Sequence, residues 1–347
     1  MTTTNKTPFI ITTKWLWRLV SLIIGILIIS LIISVIDWNA FFATLSRLSP
    51  LSLLSVAGVY LLLNLFRCLR FKALLGRPDL PMSLFFPISQ YHNFLVRLLP
   101  FKLGEVWYIV LVRRYFGLSV EEGVGSLFAS RMLELFIIVL VGTAALLTSG
   151  SVLAGKSTLQ ALFIVIIFGA GLPGLYFAGL ILRGIAGVMA RVPIAFVRQS
   201  APLVEKMARE FDRLRHPRIF LWGLFWSVFT YACSFGANAI LLAATGIQLQ
   251  PARLILAITL GMFASAFPFN VAGFGMVEVS WTFALTTLLG LSVGEAASTG
   301  FLLNSFQMVT SIVYGVCAYV VLSMMDKRKG RPDETVADFP ASSTPLP

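Results

Sequence analysis

The stretch GLSVEEGVGSLFASRMLELFIIVLVG at residues 117–142 decides the fold, because its apolar part runs on far enough to cross a lipid bilayer. About 20 predominantly apolar residues span the ~30 Å hydrocarbon core as an α-helix. Similar runs recur along the chain. Only 12% of the residues are charged, whereas a soluble domain carries about 25%. With so few charges for a water-facing surface, the composition predicts an all-α polytopic membrane protein.

Six apolar segments are long enough to span the membrane, and two further segments are apolar but interrupted. The interrupted segments, 81–112 and 253–290, are predicted to be re-entrant pairs of half-helices, although pairs of short spanning helices satisfy the same constraints. The first spanning segment is too long for the apolar part of a signal peptide, so we expect it to remain as a helix. The six spanning segments are 19–36, 50–66, 123–149, 160–182, 219–244 and 300–325.

Basic residues near the ends of the spans predict the orientation, because Lys and Arg are retained on the cytoplasmic side. Arg67, Arg70, Lys72 and Arg77 place the end of the second span inside. The connection 183–218 carries eight basic and three acidic residues and is also expected to be cytoplasmic. An apolar stripe at helical spacing inside it predicts an amphipathic helix, which either lies on the inner leaflet or packs under the bundle.

The opening stretch has a second copy, GLSVGEAASTGFLLNSFQMVTSIVYG at 290–315, offset by 173 residues without a gap. The same offset pairs Glu105 with Glu278. We therefore expect a first membrane repeat at 19–149 and a second at 160–325. Three spans per repeat would invert the second copy, an arrangement that in transporters places the substrate beside interrupted helices at mid-membrane. Residues 1–18 would form a cytoplasmic N-terminus and residues 326–347 a disordered cytoplasmic tail.

Ionisable residues inside the apolar segments are few, which makes them the candidate functional residues. Arg131 and Glu134 are one helical turn apart and form either a structural ion pair or the polar lining of a substrate path. Asn304 is the repeat counterpart of Arg131. Glu105 and Glu278 each begin a second half-helix, where a carboxylate either complements the helix N-terminus or binds a cation or proton.

The half-helix N-termini at Gly104 and at the turn Gly273-Phe-Gly275 favour binding of an anionic headgroup phosphate, aided by Arg97 and Lys102. His92 is expected to be a packed or hydrogen-bonded residue. The cysteines are isolated and there is no Gly-rich phosphate loop, so neither a metal, a cofactor nor covalent catalysis is predicted. The basic residues lie between apolar runs, so the net charge of +12 indicates topology and not nucleic-acid binding.

Four motifs resemble the flippase-like, lysylphosphatidylglycerol synthase transmembrane-region family over about residues 15–325. The resemblance implies a multi-pass plasma-membrane protein that translocates a lipid. It also implies no synthase activity, since the chain ends soon after the last helix. The last motif adds Asn270 to the candidate site. The four motifs are Arg67-Cys-Leu-Arg70-Phe-Lys-Ala-Leu-Leu75, Asn93 through Leu99-Pro100-Phe-Lys-Leu-Gly104-Glu105, Ser130-Arg131-Met-Leu-Glu134 and Pro268-Phe-Asn-Val-Ala-Gly273-Phe-Gly275-Met-Val-Glu278.

The leading hypothesis is a translocase that moves an anionic lipid or a polyprenyl-linked glycolipid between leaflets. The alternatives are a proton-coupled transporter of small anions and a non-transporting membrane partner of a lipid-modifying enzyme. Membrane lipids with anionic headgroups are the expected partners, and the sequence leaves the oligomeric state open. The predicted substrate-binding residues are Arg97, Lys102, Gly104, Glu105, Arg131, Glu134, Asn270, Gly273, Gly275, Glu278 and Asn304.

Overall fold

The computed structural model is helical over nearly all of the chain that it describes. Most of the predicted first span lies outside the described residues, as do the loop 150–159, the first part of the predicted fourth span and the tail beyond 328. The described residues are 30, 34, 36–99, 102–148, 171–193, 195–247, 250–266, 270–271 and 274–328.

The described residues form eleven helices. Four of them, α2, α5, α8 and α11, are long and apolar enough to cross a membrane, so the prediction of an all-α multi-pass protein is confirmed. The helices are α1 (Trp38–Arg47), α2 (Pro50–Leu74), α3 (Met82–Leu98), α4 (Leu103–Phe116), α5 (Val120–Thr148), α6 (Gly171–Arg191), α7 (Ala195–Leu214), α8 (Pro217–Ala244), α9 (Pro251–Ala266), α10 (Met276–Leu289) and α11 (Val293–Arg328). Strands β1 (Asn270–Val271) and β2 (Phe274–Gly275) pair antiparallel between α9 and α10.

The repeated Gly-Leu-Ser-Val motif builds the same turn twice. Gly117 and Gly290 have φ of 67° and 68° and end α4 and α10 in the left-handed conformation that glycine tolerates. Two residues later, Ser119 Oγ accepts from the Glu122 N–H at 3.2 Å, and the Glu122 carboxylate accepts from the Ser119 N–H at 2.8 Å. Ser292 makes the same reciprocal capping box at the start of α11.

Both interrupted segments are broken helices, as predicted. α3 and α4 have 17 and 14 residues, and α9 and α10 have 16 and 14. At 1.5 Å per residue they are about 21 to 26 Å long, shorter than the ~30 Å hydrocarbon core. The start of α3 and the end of α4 lie together, since the Phe85 and Phe116 rings are 5.6 Å apart. The first pair therefore enters and leaves at one end of the bundle.

Helices α2 and α8 pack along each other in opposite directions. Near the start of α8, Arg213 Nη1 donates to the Leu75 carbonyl at the end of α2 at 2.6 Å. Gly246, just past the end of α8, lies close to Arg47, which precedes α2. These contacts define two ends of the bundle. The basic end comprises residues 75–81, 113–121, 206–218 and 325–328, and the far end comprises 36–49, 244–247, 250–251 and 289–298.

The second span is longer than predicted. The apolar segment was predicted at 50–66, with Arg67 and Arg70 among the residues that mark its cytoplasmic end. Helix α2 continues to Leu74, and Arg70 is only 2% exposed. The helix continues because Phe71 and Leu74 keep the apolar face buried through these last turns. Arg67 and Arg70 are therefore residues of the helix bundle and not markers of the cytoplasmic side.

The basic connection 183–218 is largely helical. Helix α6 runs to Arg191 and α7 contains the predicted apolar stripe. Phe211 and Leu214 of this stripe are buried against the helices of the bundle, whereas Leu203 is 50% exposed. The predicted amphipathic helix is therefore present, and its C-terminal half packs under the bundle.

Candidate functional site

A cavity of about 160 Å³ lies where the two broken helix pairs meet. Helix α3 contributes Arg97 from its last turn, and Lys102 follows at the break. Residues of α9 and α10 line the opposite side. The charged and polar lining residues are Arg67, Arg70, His92, Asn93, Arg97, Lys102, Arg131, Glu134, Thr230, Tyr231, Ser234, Asn238, Ser265, Asn304 and Gln307.

Gly104 holds the first break together. A Cβ at this position would overlap backbone atoms of Leu95 and Val96, so only glycine lets α4 begin this close to α3. His92 Nδ1 lies 3.1 Å from the Gly104 carbonyl oxygen. Because a carbonyl can only accept, His92 carries its proton on Nδ1 and links the two half-helices. The expectation of a hydrogen-bonded histidine is confirmed.

Lys102 occupies a strained backbone conformation at the same break. Its φ is +55°, and among the described residues it is the one non-glycine residue with a positive φ. Side chains with a Cβ rarely adopt this region, and such residues cluster at functional sites. The strain turns the chain into α4 and brings the Lys102 ammonium to the cavity, 3.9 Å from Glu105.

Arg131 is the centre of a charged triad. Its Nη2 lies 2.7 Å from Glu105 Oε1, and its Nη1 lies 2.7 Å from Glu134 Oε2. The triad joins the first turn of α4 to the middle of α5. The predicted pair Arg131–Glu134 is therefore present, and Glu105 completes it.

A similar contact in the second predicted repeat has an amide in place of the guanidinium. Asn304 Nδ2 donates to Glu278 Oε1, and the Gly275 N–H donates to Glu278 Oε2 at 2.6 Å. Glu278 is only 4% exposed and caps α10, as one of the two interpretations of this residue proposed. The pairs Glu105–Arg131 and Glu278–Asn304 are related by the 173-residue offset of the repeat.

A chain of polar contacts crosses the cavity between the repeats. Arg97 Nη2 donates to Gln307 Oε1 at 2.9 Å, and Gln307 Nε2 donates to Asn238 Oδ1 at 3.0 Å. A smaller cavity of about 30 Å³ shares Arg67 and Arg97 with the main one. The last turn of α3 is therefore tied to α11 and, through it, to α8.

Two arginines that line the cavity were not among the site residues predicted from the sequence. Arg67 and Arg70 line the cavity one helical turn apart on α2. Arg70 Nε and Nη1 are buried without a hydrogen-bond partner, and its guanidinium carbon lies 5.6 Å from the centre of the Phe71 ring. Within the described part of the chain, no carboxylate lies within 4.0 Å of Arg67, Arg70 or Arg97. The sequence feature that could have identified them is the apolar pattern, which continues past both arginines to Leu75.

Most of the predicted site residues converge on this cavity. Arg97, Lys102, Arg131, Glu134 and Asn304 line it directly. Glu105 and Glu278 bond to lining residues, and Gly104 and Gly275 shape the two breaks. Asn270 is described only as part of strand β1, and Gly273 lies outside the described residues.

The apolar helices, the two broken pairs and the polar cavity between them define a multi-pass α-helical membrane protein with an internal charged site. The family described as "Lysylphosphatidylglycerol synthase TM region" matches residues 18–322, nearly the whole chain. The chain therefore belongs to this family, and the resemblance seen in its motifs is confirmed. No curated protein and no solved structure matches the chain.

Proposed function

We propose that this protein is a lipid translocase, which moves an anionic lipid or a polyprenyl-linked glycolipid between leaflets without covalent chemistry. The observation that carries the proposal is the basic cavity at the meeting point of the two breaks. Among the described residues, five cationic side chains line it, and Glu134 is the one carboxylate that does so. A headgroup in this cavity could exchange its water for guanidinium and amide donors while its acyl chains stay in lipid.

An inverted repeat would suit this task, because two opposed halves can open a shared site alternately to either leaflet. Several contacts support such an arrangement. The equivalent helices α2 and α8 are antiparallel. Helix α3 packs on α11, and its counterpart α9 packs on α5. If each helix is replaced by its counterpart in the other half, the same set of helix contacts results.

The proposed setting is the plasma membrane, with six spans, two re-entrant pairs and both termini in the cytoplasm. Positively charged loops favour the cytoplasmic side, and the basic end carries more Lys and Arg than the far end. Described basic residues at or next to the far end are Arg47 and Arg253, whereas those at the basic end are Arg77, Arg113, Arg114, Lys206, Arg209, Arg213, Arg215, Arg218, Lys327 and Arg328.

The test is lipid movement in reconstituted vesicles. The parent chain should accelerate the exchange of labelled anionic lipid above that in empty vesicles. Glu105→Gln, Arg131→Ala and Glu278→Gln should each slow it about tenfold or more, which corresponds to about 1.4 kcal/mol. Arg77→Gln is the matched control, because Arg77 pairs with Asp79 at the exposed basic end.

The two parts of the proposal fail separately. Lipid exchange no faster than in empty vesicles, for both anionic phospholipids and polyprenyl phosphates, would contradict the function. Exchange that stays at the parent rate in all three site variants would contradict the assignment of the site.

A second candidate function is transport of a small anion coupled to protons through Glu105 or Glu278. The small volume of the cavity favours it, because about 160 Å³ is below the roughly 300–1,000 Å³ of pockets that enclose a drug-sized ligand. Uptake of radiolabelled phosphate into the same vesicles distinguishes the two candidates. A translocase should leave this uptake at the level of empty vesicles.

A further inference from the structure

The charges around the cavity do not balance. In the part of the chain that the structure describes, three glutamates face or adjoin the five cations that line it. Glu134 and Glu105 both form ion pairs with Arg131, Glu105 also lies 3.9 Å from Lys102, and Glu278 bonds to Asn304. Five positive charges against three negative ones leave an excess of two. The cations of this count are Arg67, Arg70, Arg97, Lys102 and Arg131.

This excess is concentrated on three guanidinium groups. Arg67, Arg70 and Arg97 have no carboxylate within 4.0 Å among the described residues. Arg97 is bonded to the neutral amide of Gln307, and Arg70 has two buried nitrogen donors with no partner at all. A buried, unpaired guanidinium is costly unless an anion satisfies it. At 2% exposure, Arg70 is therefore the strongest indication that the cavity takes an anionic ligand.

The volume of the cavity limits the size of the group that can bind in it. A cavity of about 150 Å³ accommodates one benzene molecule, so the cavity of about 160 Å³ has room for a chemical group of about that size. A phosphate group fits this space, whereas two acyl chains do not. Arginine is suited to the phosphate, because its planar fork of donors matches the oxygens of a phosphate and is weakly hydrated.

We infer that the cavity selects a phosphate with two negative charges, as in a phosphomonoester or a diphosphate, over the singly charged phosphodiester of ordinary phospholipids. This inference rests on the proposed function and narrows its substrate class. A dianion neutralises the excess of two charges. A phosphodiester leaves one of them uncompensated, and a zwitterionic headgroup leaves both. Arg70 is the anchor of the site, with Arg67 and Arg97 beside it.

The test compares lipids that share their acyl chains and differ in headgroup. The purified full-length chain is titrated with dioleoyl phosphatidic acid, phosphatidylglycerol and phosphatidylcholine, and the bound fraction is measured by native mass spectrometry. Phosphatidic acid should bind at least about tenfold more tightly than phosphatidylglycerol, and phosphatidylcholine more weakly than either. Equal affinity for phosphatidic acid and phosphatidylglycerol would overturn the inference.

Single substitutions identify the residues that cause the preference for phosphatidic acid. Arg70→Gln should reduce the affinity for phosphatidic acid about tenfold and bring it close to that for phosphatidylglycerol. Arg97→Gln should also reduce the affinity for phosphatidic acid. Because the Arg97 side chain is only partly buried, this variant replaces Arg70→Gln in the test if Arg70→Gln does not fold. Arg77→Gln at the basic end should change neither affinity. A full preference for phosphatidic acid in both Arg70→Gln and Arg97→Gln would refute the assignment of the anchor.

Soluble phosphates separate a lipid from a free anion as the source of the ligand. Inorganic phosphate and pyrophosphate are added as competitors. Tighter binding of phosphatidic acid than of either soluble anion supports a lipid ligand, and the reverse order supports a soluble phosphate at the same site. Both results keep the preference for a dianion.

The inference and the proposed function can fail independently. Selective binding without lipid movement in vesicles would remove the translocase function and keep the dianion site. Lipid movement without a preference between phosphatidic acid and phosphatidylglycerol would keep the function and remove the dianion site.

Discussion

Glu105 and Glu278 each occupy the third position of the half-helix that follows a break, and each bonds to the same place on the next long helix. The partner is Arg131 in the first repeat and Asn304 in the second. A salt bridge in one half of the chain therefore corresponds to a carboxylate–amide pair in the other. The charge of the cavity is asymmetric because of such single differences between the repeats, and so are the consequences of substituting equivalent residues.

Gly104→Ala should disrupt the first break. The added Cβ would overlap the backbone of Leu95 and Val96, which cannot move without separating α4 from α3. We expect a loss of about 1–3 kcal/mol in the free energy of unfolding, measured by thermal unfolding in detergent. Gly58→Ala is the control, because a Cβ there meets nothing within 4 Å. Equal stability of the two variants would contradict the close approach at Gly104.

Lys102→Gly should separate stability from ligand binding. Glycine relieves the left-handed strain of about 1–2 kcal/mol and adds flexibility to the unfolded chain that offsets about 0.5–1 kcal/mol of it. Thermal unfolding should therefore show no loss of stability, while the affinity for phosphatidic acid falls because a cavity cation is removed. Lys102→Met removes the charge and keeps the strain, so it should bind as weakly as Lys102→Gly. A Lys102→Gly protein that binds like the parent would exclude Lys102 from the site.

At the scale of elements, two equivalent glycines let each broken pair dock on the long helix of the other repeat. Gly142 of α5 faces Thr259 of α9, and Gly315 of α11 faces Phe94 of α3. The two glycines are 173 residues apart, the same offset as that of the two Gly-Leu-Ser-Val stretches. Small residues at helix interfaces in membranes allow close backbone approach and van der Waals packing. The cavity depends on these contacts because they hold both breaks against the helices that carry Arg131 and Asn304.

Gly315→Ala should therefore cost more than Gly142→Ala. The new Cβ at Gly315 would overlap Phe94 Cβ, which is close to the backbone, whereas at Gly142 it would meet the Thr259 methyl at 2.6 Å, which can turn away. We expect a loss of about 1–3 kcal/mol for Gly315→Ala and less than about 1 kcal/mol for Gly142→Ala. Thermal unfolding checks the order, with Gly236→Ala as a control in open space. The reverse order would contradict the packing of α3 on α11.

At the scale of the whole molecule, charge is distributed unevenly between the two ends of the bundle. Contacts such as Arg213 with Leu75 and Arg114 with Asp326 gather the basic connections at one end. Ser298 bonds to the Asp37 carbonyl at the other end at 2.9 Å. Since positive loops are retained in the cytoplasm, this asymmetry predicts one orientation in the membrane.

Labelling of single cysteines tests the orientation. In a chain with Cys68, Cys233 and Cys317 replaced by serine, Ser46→Cys at the far end should react with a membrane-impermeant maleimide in intact cells. Asp79→Cys at the basic end should react only after permeabilisation. Both positions are exposed in the structure. Labelling of both from the same side would contradict the assignment of the two ends.

The sequence by itself determined the class of protein, the two breaks and most of the candidate site. Apolar length, the repeated Gly-Leu-Ser-Val turn and charges inside apolar segments are local properties, so they can be read along the chain. The roles of Arg67 and Arg70 were decided only by the tertiary structure. The sequence pattern near the end of an apolar run is the same for an arginine that faces the cytoplasm and for one that faces a cavity. Only the helices that pack around the arginine distinguish the two positions. The partner of Glu105 on α5 and the chain from Arg97 through Gln307 to Asn238 likewise join residues far apart in sequence. The excess positive charge of the cavity arises only when five cations from separate helices are brought together by packing.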